Sequence, residues 1–397
     1  MVAAADIESL RRRSGVKWTR AEPDVIPAWI ADMDFPVADA VREMLLRSAD
    51  GDLGYPAWDD RPDLNPLRDV FSARMSQRYG AVFDPAHVQV FTEMVQAFQI
   101  VLHLMTSPGD AVAMHIPAYP PFLQTVLTTG RQLLPIPMID TGDGWTFDID
   151  RLAEDVRRSR CRVLVLVNPH NPTGRVFTRT ELTGIAEIAC RHDLLVISDE
   201  IFSELLHDGH RHLPFASLSS EVARRTITLH SASKAFNIAG LRCCVAHIGD
   251  SAVRAALATQ PPSLFGQASN LSVAVTMAAW LQGEDWLTRT LETLAGNRDL
   301  VVRSLPAEIR HYRPEATYLA WIDCGALRLD RDPAAFFLEH ARVELSAGTD
   351  FGHGGANFVR LNFATFRPVL AEILHRMNHA IDQYLHVSER SRGHAAG

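Results

Sequence analysis

Lysine is almost missing from this sequence. Of 397 residues and 39 basic side chains, only Lys17 and Lys234 are lysines; the other positive charges are arginines. Cysteine is scarce too. Cys161, Cys190, Cys243, Cys244 and Cys324 include no C-x-x-C spacing of a zinc or redox site, and no metal site is expected. Cys243-Cys244 sits in an apolar run that reads as a strand, where a thiol packs as a small hydrophobe. Unpaired cysteines fit a reducing compartment, so the cytoplasm is the expected location. No apolar run approaches the ~20 residues that span a bilayer. The opening MVAAADIESLRRR has no apolar signal core. At a formal net charge of −8, the only basic block is the short Arg11-Arg12-Arg13 run, which reads as a solvated helix face. Neither nucleic acid nor membrane is expected as a partner.

What is present is a large apolar fraction, 47% of the chain, enough for more than one compact core. From about Pro66 to Gly249, helical and strand-like segments alternate. Leu67–Tyr79, Val95–Met105, Phe122–Thr129 and Glu181–Arg191 have helical periodicity. Ala111–His115, Arg162–Val167, Leu194–Ser198, Thr226–His230 and Cys243–Ile248 read as buried strands. This alternation predicts an α/β fold with a mainly parallel central sheet. Beyond residue 250, helices at Gln267–Gln282, Trp286–Ser304, Pro333–Ala341 and Val369–Tyr384 and strands at Tyr318–Asp323 and Phe358–Asn362 predict a smaller α+β domain. The expected division is a large domain over 46–280 and a small one over 281–386. Residues 1–45 are expected to pack with the small domain, and 387–397 to form a disordered tail.

Active sites in parallel sheets gather at the C-terminal strand ends. Arg162–Val167 runs into Asn168-Pro169-His170-Asn171-Pro172-Thr173-Gly174. Leu194–Ser198 runs into Asp199-Glu200, and Thr226–His230 into Ser231-Ala232-Ser233-Lys234. Taken singly, Asp199 reads as a helix N-cap and Asn171 as a turn former. Together, three strands deliver an amide, a carboxylate and an amine to one rim. A pyridoxal 5′-phosphate (PLP) site uses those three groups. The amine forms a Schiff base with the aldehyde, the carboxylate keeps the pyridine nitrogen protonated, and the amide donates to the phenolate oxygen.

The order and spacing of N-P-x-N-P-T-G, S-D-E and S-x-S-K-x-F-N-x-x-G-L-R resemble the class I/II aminotransferase family of fold-type I PLP enzymes over most of the chain. Trp29-Ile30-Ala31-Asp32-Met33-Asp34-Phe35, Gly54-Tyr55 and Phe358-Val359-Arg360-Leu361-Asn362-Phe363-Ala364-Thr365 resemble its cystathionine β-lyase branch, the MalY/PatB-type C–S lyases. The resemblance implies PLP on Lys234, with Asp199 at the ring nitrogen, Asn171 at the phenolate oxygen and Tyr119 stacked on the ring. Ser231, Ser233, Arg242 and the amides of Met94 and Val95 would hold the phosphate, the amides as a helix N-terminus does. Tyr55 would reach the neighbouring subunit's phosphate, which implies a homodimer with a shared site. Arg360 would grip the substrate carboxylate through paired hydrogen bonds, with Trp29 and Ala31 beside the substrate. The implied reaction is β-elimination from an S-substituted cysteine, giving thiol, pyruvate and ammonia.

Two positions depart from the family. Glu93 stands where the phosphate loop usually has glycine. Phe202 stands where a tyrosine or histidine is usual. The sequence therefore leaves open an aminotransferase, or decarboxylative or oxidative chemistry on a cysteine conjugate. A non-catalytic regulatory protein on the same scaffold is the reading of another class. The cysteine's S-substituent is not legible.

Overall fold

The structure, a computed structural model, describes residues 6–261, 264 and 266–395, with 388–395 as backbone alone. Seven strands form the central sheet in the order Val88–Phe91, Cys244–Ile248, Thr226–His230, Leu195–Asp199, Val163–Val167, Ala111–Ile116, Gln132–Pro137. From Thr226–His230 to Gln132–Pro137 all neighbours are parallel. Cys244–Ile248 runs antiparallel to both of its neighbours. The fold is α/β with a mainly parallel sheet, as the alternation predicts.

Both faces of this sheet are covered, which is why its inner strands read as unbroken apolar runs. Val163, Val165 and Val167 pack into one core with the helix Met94–Met105. Leu164 and Leu166 point the other way, against Leu182, Ile185 and Ile188 of the helix Arg179–Arg191. That helix begins two residues earlier than periodicity suggests. Thr178 and Glu181 close a capping box there, and the cap rather than the apolar stripe sets the start.

Two strands of the central sheet have no counterpart in the sequence reading, Val88–Phe91 and Gln132–Pro137. They are the two edges of the sheet. Gln132–Pro137 is only partly covered and holds Pro135 and Pro137, which an edge tolerates and an inner strand does not.

The second sheet is antiparallel, ordered Arg310–His311, Leu319–Asp323, Phe358–Asn362, Ser346–Ala347. The last helix runs Arg367–Ala395, well past Tyr384 and through most of the tail that sequence alone left disordered. Its one proline, Pro368, lies in the first turn, where a missing N–H costs nothing. No other breaker occurs before Gly393. Residues 396–397 lie outside the described residues. Near the start of the chain, Ile26–Pro27 pairs in parallel with Val343–Glu344. This carries the N-terminal segment across to the second sheet.

Candidate active site

The parallel register puts Val167 beside Asp199 and Asp199 beside Leu229. The turn after Val167, Asp199 itself and the loop after His230 therefore share one rim. In the first turn, Asn168 Oδ1 accepts from the Phe177 amide at 2.9 Å. Gly174 has φ +71°, and a Cβ there would meet Pro314 Cβ at 2.7 Å, so only glycine fits. In the loop of Lys234, Ser231 Oγ accepts from the Ser233 amide at 3.1 Å and donates to the Cys243 carbonyl at 2.6 Å. Its one proton thus goes to the backbone just ahead of the strand Cys244–Ile248. Ser233 is partly buried beside it.

Lys234 Nζ donates to the Ala31 carbonyl at 2.7 Å and lies 3.8 Å from Asp32 Oδ1. Burial lowers its pKa, and the charges of Arg360 and Arg242 act in the same sense, while Asp32 and Asp199 oppose them. Asp199 is 5% exposed. It accepts from the Ile201 amide at 3.0 Å. Burial raises its pKa to about 7. Among the described residues it has no cationic partner within ion-pair distance.

Arg360 is the opposite case. It is 5% exposed, and burial lowers its pKa to about 10. Its guanidinium donates to Asn171 Oδ1 at 3.1 Å, to the Trp29 carbonyl at 2.9 Å and to Ser346 Oγ at 3.2 Å. It lies 4.8 Å over the Phe351 ring. Nε has no hydrogen-bond partner, and no carboxylate pairs with the group among the described residues. Tyr119 is partly buried, its ring edge-on to Phe122. Burial raises its pKa, and the charges of Arg360, Asp199, Glu93 and Arg242 all reach it. Arg242 Nη1 is paired with Glu93. Met94 and Val95 open the helix behind that pair.

A fully buried charge without a partner is expensive. Here Asp199 and Arg360 are each buried without an oppositely charged partner among the described residues, and both act on the partly buried Lys234. The rim is built for a ligand that brings a cation to Asp199, an anion to Arg360 and an acceptor for the lysine.

The aminotransferase class I and II family model matches residues 31–376. This chain belongs to that family. Its relatives include the cystathionine beta-lyase PatB of Bacillus subtilis, 32% identical with 92% of this chain and 96% of that protein covered. Among solved structures, OvoB has TM-score 0.87 at 36% identity, covering 94% of this chain and 97% of that one. The PLP-bound C-S lyase of Staphylococcus hominis has TM-score 0.87 at 28% identity, covering 96% and 98%.

Within this family member, the segment Trp29–Asp34 is hydrogen-bonded both to the second sheet and to Lys234; sequence reading expected Trp29 and Ala31 beside the substrate but did not give these backbone contacts. Asn362 Nδ2 donates to the carbonyls of Ile30 and Asp32 at 2.6 and 2.7 Å. Asn237 Nδ2 donates to the carbonyls of Met33 and Phe35, and its Oδ1 accepts from the Met33 amide. Tyr318 donates to the Ala31 carbonyl that also takes Lys234. Asn237 and Asn362 stood inside motifs already singled out, so their types were visible and their partners were not. Asp32 likewise stood inside a motif already singled out, whereas Tyr318 and Ser346 gave no signal as site residues. Tyr55 is 92% exposed and stands apart from the other predicted residues.

Proposed function

We propose that this protein is a PLP-dependent carbon–sulfur β-lyase that converts an S-substituted cysteine and water to a thiol, pyruvate and ammonia. The observation that carries the reading is that Asp199 and Arg360 are both buried with no oppositely charged partner among the described residues, and that both act electrostatically on Lys234. The residues fit the cofactor. Lys234 has the lowered pKa of an amine that reacts with a carbonyl. Asp199 would hold the ring nitrogen, Asn171 the phenolate oxygen and Tyr119 the ring face. Arg242 and the amides of Met94 and Val95 would hold the phosphate, with Ser231 and Ser233 shaping the loop beneath it. Bound PLP supplies an electron sink for the Cα–H bond of the substrate.

The remaining work falls to the chain. Arg360 takes the substrate carboxylate, for which its unpartnered Nε is available. This fixes the amino acid against the rim, with the walls formed by Trp29 and Ala31. Lys234 Nζ removes the Cα proton as a general base, and its lowered pKa is in the direction that favours the free amine. The sulfur leaves from the β-carbon and is released as the thiol. The names of the relatives support a lyase outcome over transamination.

Homodimerisation belongs to the same proposal. Tyr55 and Leu53, at 92% and 69% exposed, offer a surface for a second copy whose site Tyr55 would complete. No helix among the described residues is long and apolar enough to cross a membrane. A cytoplasmic location and the division into a large and a small domain complete the reading.

The test is a product assay on PLP-loaded protein with cystathionine and S-alkyl cysteines, with Lys234→Ala as control. Equimolar thiol and pyruvate, lost in the variant, support the lyase. An intact thioether oxo acid with pyridoxamine phosphate accumulating would replace it with an aminotransferase.

A further inference from the structure

Glu93 is the N-cap of the helix Met94–Met105. Its backbone is extended, with φ −157° and ψ 162°, and its side chain makes no capping hydrogen bond. The neighbouring Thr92 and Gln96 are tied together instead, the Thr92 amide donating to Gln96 Oε1 at 3.2 Å. The loop is thus fixed without Glu93, whose carboxylate turns to Arg242. Arg242 is held in the left-handed region, φ 53°, at the end of the Ala239–Leu241 turn. The two side chains keep 42% and 67% of their surface in water. A pair this exposed is weak and is displaced at little cost.

A helix N-terminus with a guanidinium beside it is an anion-binding arrangement. Here the chain supplies the anion itself. Ser231 of the lysine loop donates to the carbonyl of Cys243, the residue after Arg242, and Cys244 pairs with Phe91, two residues before Glu93, so the pair lies beside the lysine loop.

We propose that Glu93 is an internal competitor for the cofactor's phosphate, and that it sets how tightly the phosphorylated cofactor is held. The proposal rests on the reading of Arg242 and the Met94 and Val95 amides as the phosphate cradle. A phosphate dianion and a carboxylate repel each other, so both cannot sit on Arg242. Glu93 must swing into water as phosphate arrives, which its exposure permits. Binding then exchanges one anion for another, and the phosphate adds less affinity than it would in a cradle without Glu93. Pyridoxal, which has no phosphate, does not meet the carboxylate.

The experiment is an equilibrium titration of the apoprotein with PLP and, separately, with pyridoxal, followed by cofactor absorbance. The variants are Glu93→Gln, which keeps the shape without the charge, Glu93→Gly and Arg242→Ala. Glu93→Gln and Glu93→Gly are expected to tighten PLP about 10-fold, a difference of about 1.4 kcal/mol, and to leave pyridoxal unchanged. Unchanged PLP affinity in Glu93→Gln, or equal tightening of PLP and pyridoxal, overturns the proposal. Arg242→Ala tests the reading beneath it. If that variant weakens PLP no more than pyridoxal, the phosphate cradle has been misplaced and the role of Glu93 falls with it.

Discussion

Arg360 Nη1 donates to Asn171 Oδ1 across 3.1 Å, joining the second sheet to the turn that follows the strand Val163–Val167. The residues proposed to hold the substrate carboxylate and the cofactor's oxygen therefore position each other. Lysine carries the same charge but not the planar fork that reaches Asn171, Trp29 and Ser346 together. Arg360→Lys is expected to lower kcat/KM for an S-alkyl cysteine about 100-fold, as loss of a charge-assisted paired contact does. Most of the loss is expected in KM. Steady-state kinetics that leave KM unchanged would remove Arg360 from the substrate site.

Asp199 makes the stability of the apoprotein pH-dependent. Burial raises its pKa from an ordinary 3.8 to about 7. Between about pH 4 and pH 7 the folded chain keeps a proton that the unfolded chain has released. Stability therefore falls as pH rises through that window, and the loss is complete above it. The displacement corresponds to at most about 4 kcal/mol. Without PLP, Asp199→Asn is expected to unfold at higher denaturant than wild type at pH 8 and at a similar concentration at pH 4. Parallel pH profiles for the two proteins would contradict this. Adding PLP is expected to narrow the gap at pH 8, because a protonated ring nitrogen pairs with the wild-type carboxylate alone.

The other lysine is structural. Lys17 Nζ lies 2.8 Å from Asp34 Oδ2, and Trp18 Nε1 donates to Asp34 Oδ1 at 2.7 Å. Both charged groups are buried, so removing one leaves the other uncompensated. Lys17→Met is expected to destabilise the fold by about 3–5 kcal/mol in urea unfolding. A loss under about 1 kcal/mol would show that Asp34 finds water or another donor.

Phe202 has no hydroxyl, and its buried ring lies edge-on to Tyr318, with centroids 5.8 Å apart. A Phe202→Tyr variant gains a donor near the proposed position of the phenolate oxygen. That donor stabilises the oxyanion, so the chromophore on Lys234 should lose its proton at lower pH than in wild type. Absorbance titration of the two PLP-loaded proteins reads this directly. Coincident curves, or the opposite order, would place Phe202 away from that oxygen.

The sequence by itself determined the inner strands of the central sheet and the segments that follow them. Val163–Val167 and Leu195–Asp199 are buried on both faces, so their apolar runs were unmistakable. Parallel strands end on one side, so Asn171, Asp199 and Lys234 had to come together once the strands were known. The edge strand Gln132–Pro137 was hidden because a partly covered edge needs no apolar pattern. The partners of each charge were decided only by tertiary structure. Arg360 and Asn171 are 189 positions apart, and Lys234 and Ala31 are 203. No local propensity encodes such contacts. They arise when the N-terminal segment, paired through Ile26–Pro27, is drawn between the two sheets. Burial then strips water from Asp199, Arg360 and Lys234, and that desolvation makes the rim reactive.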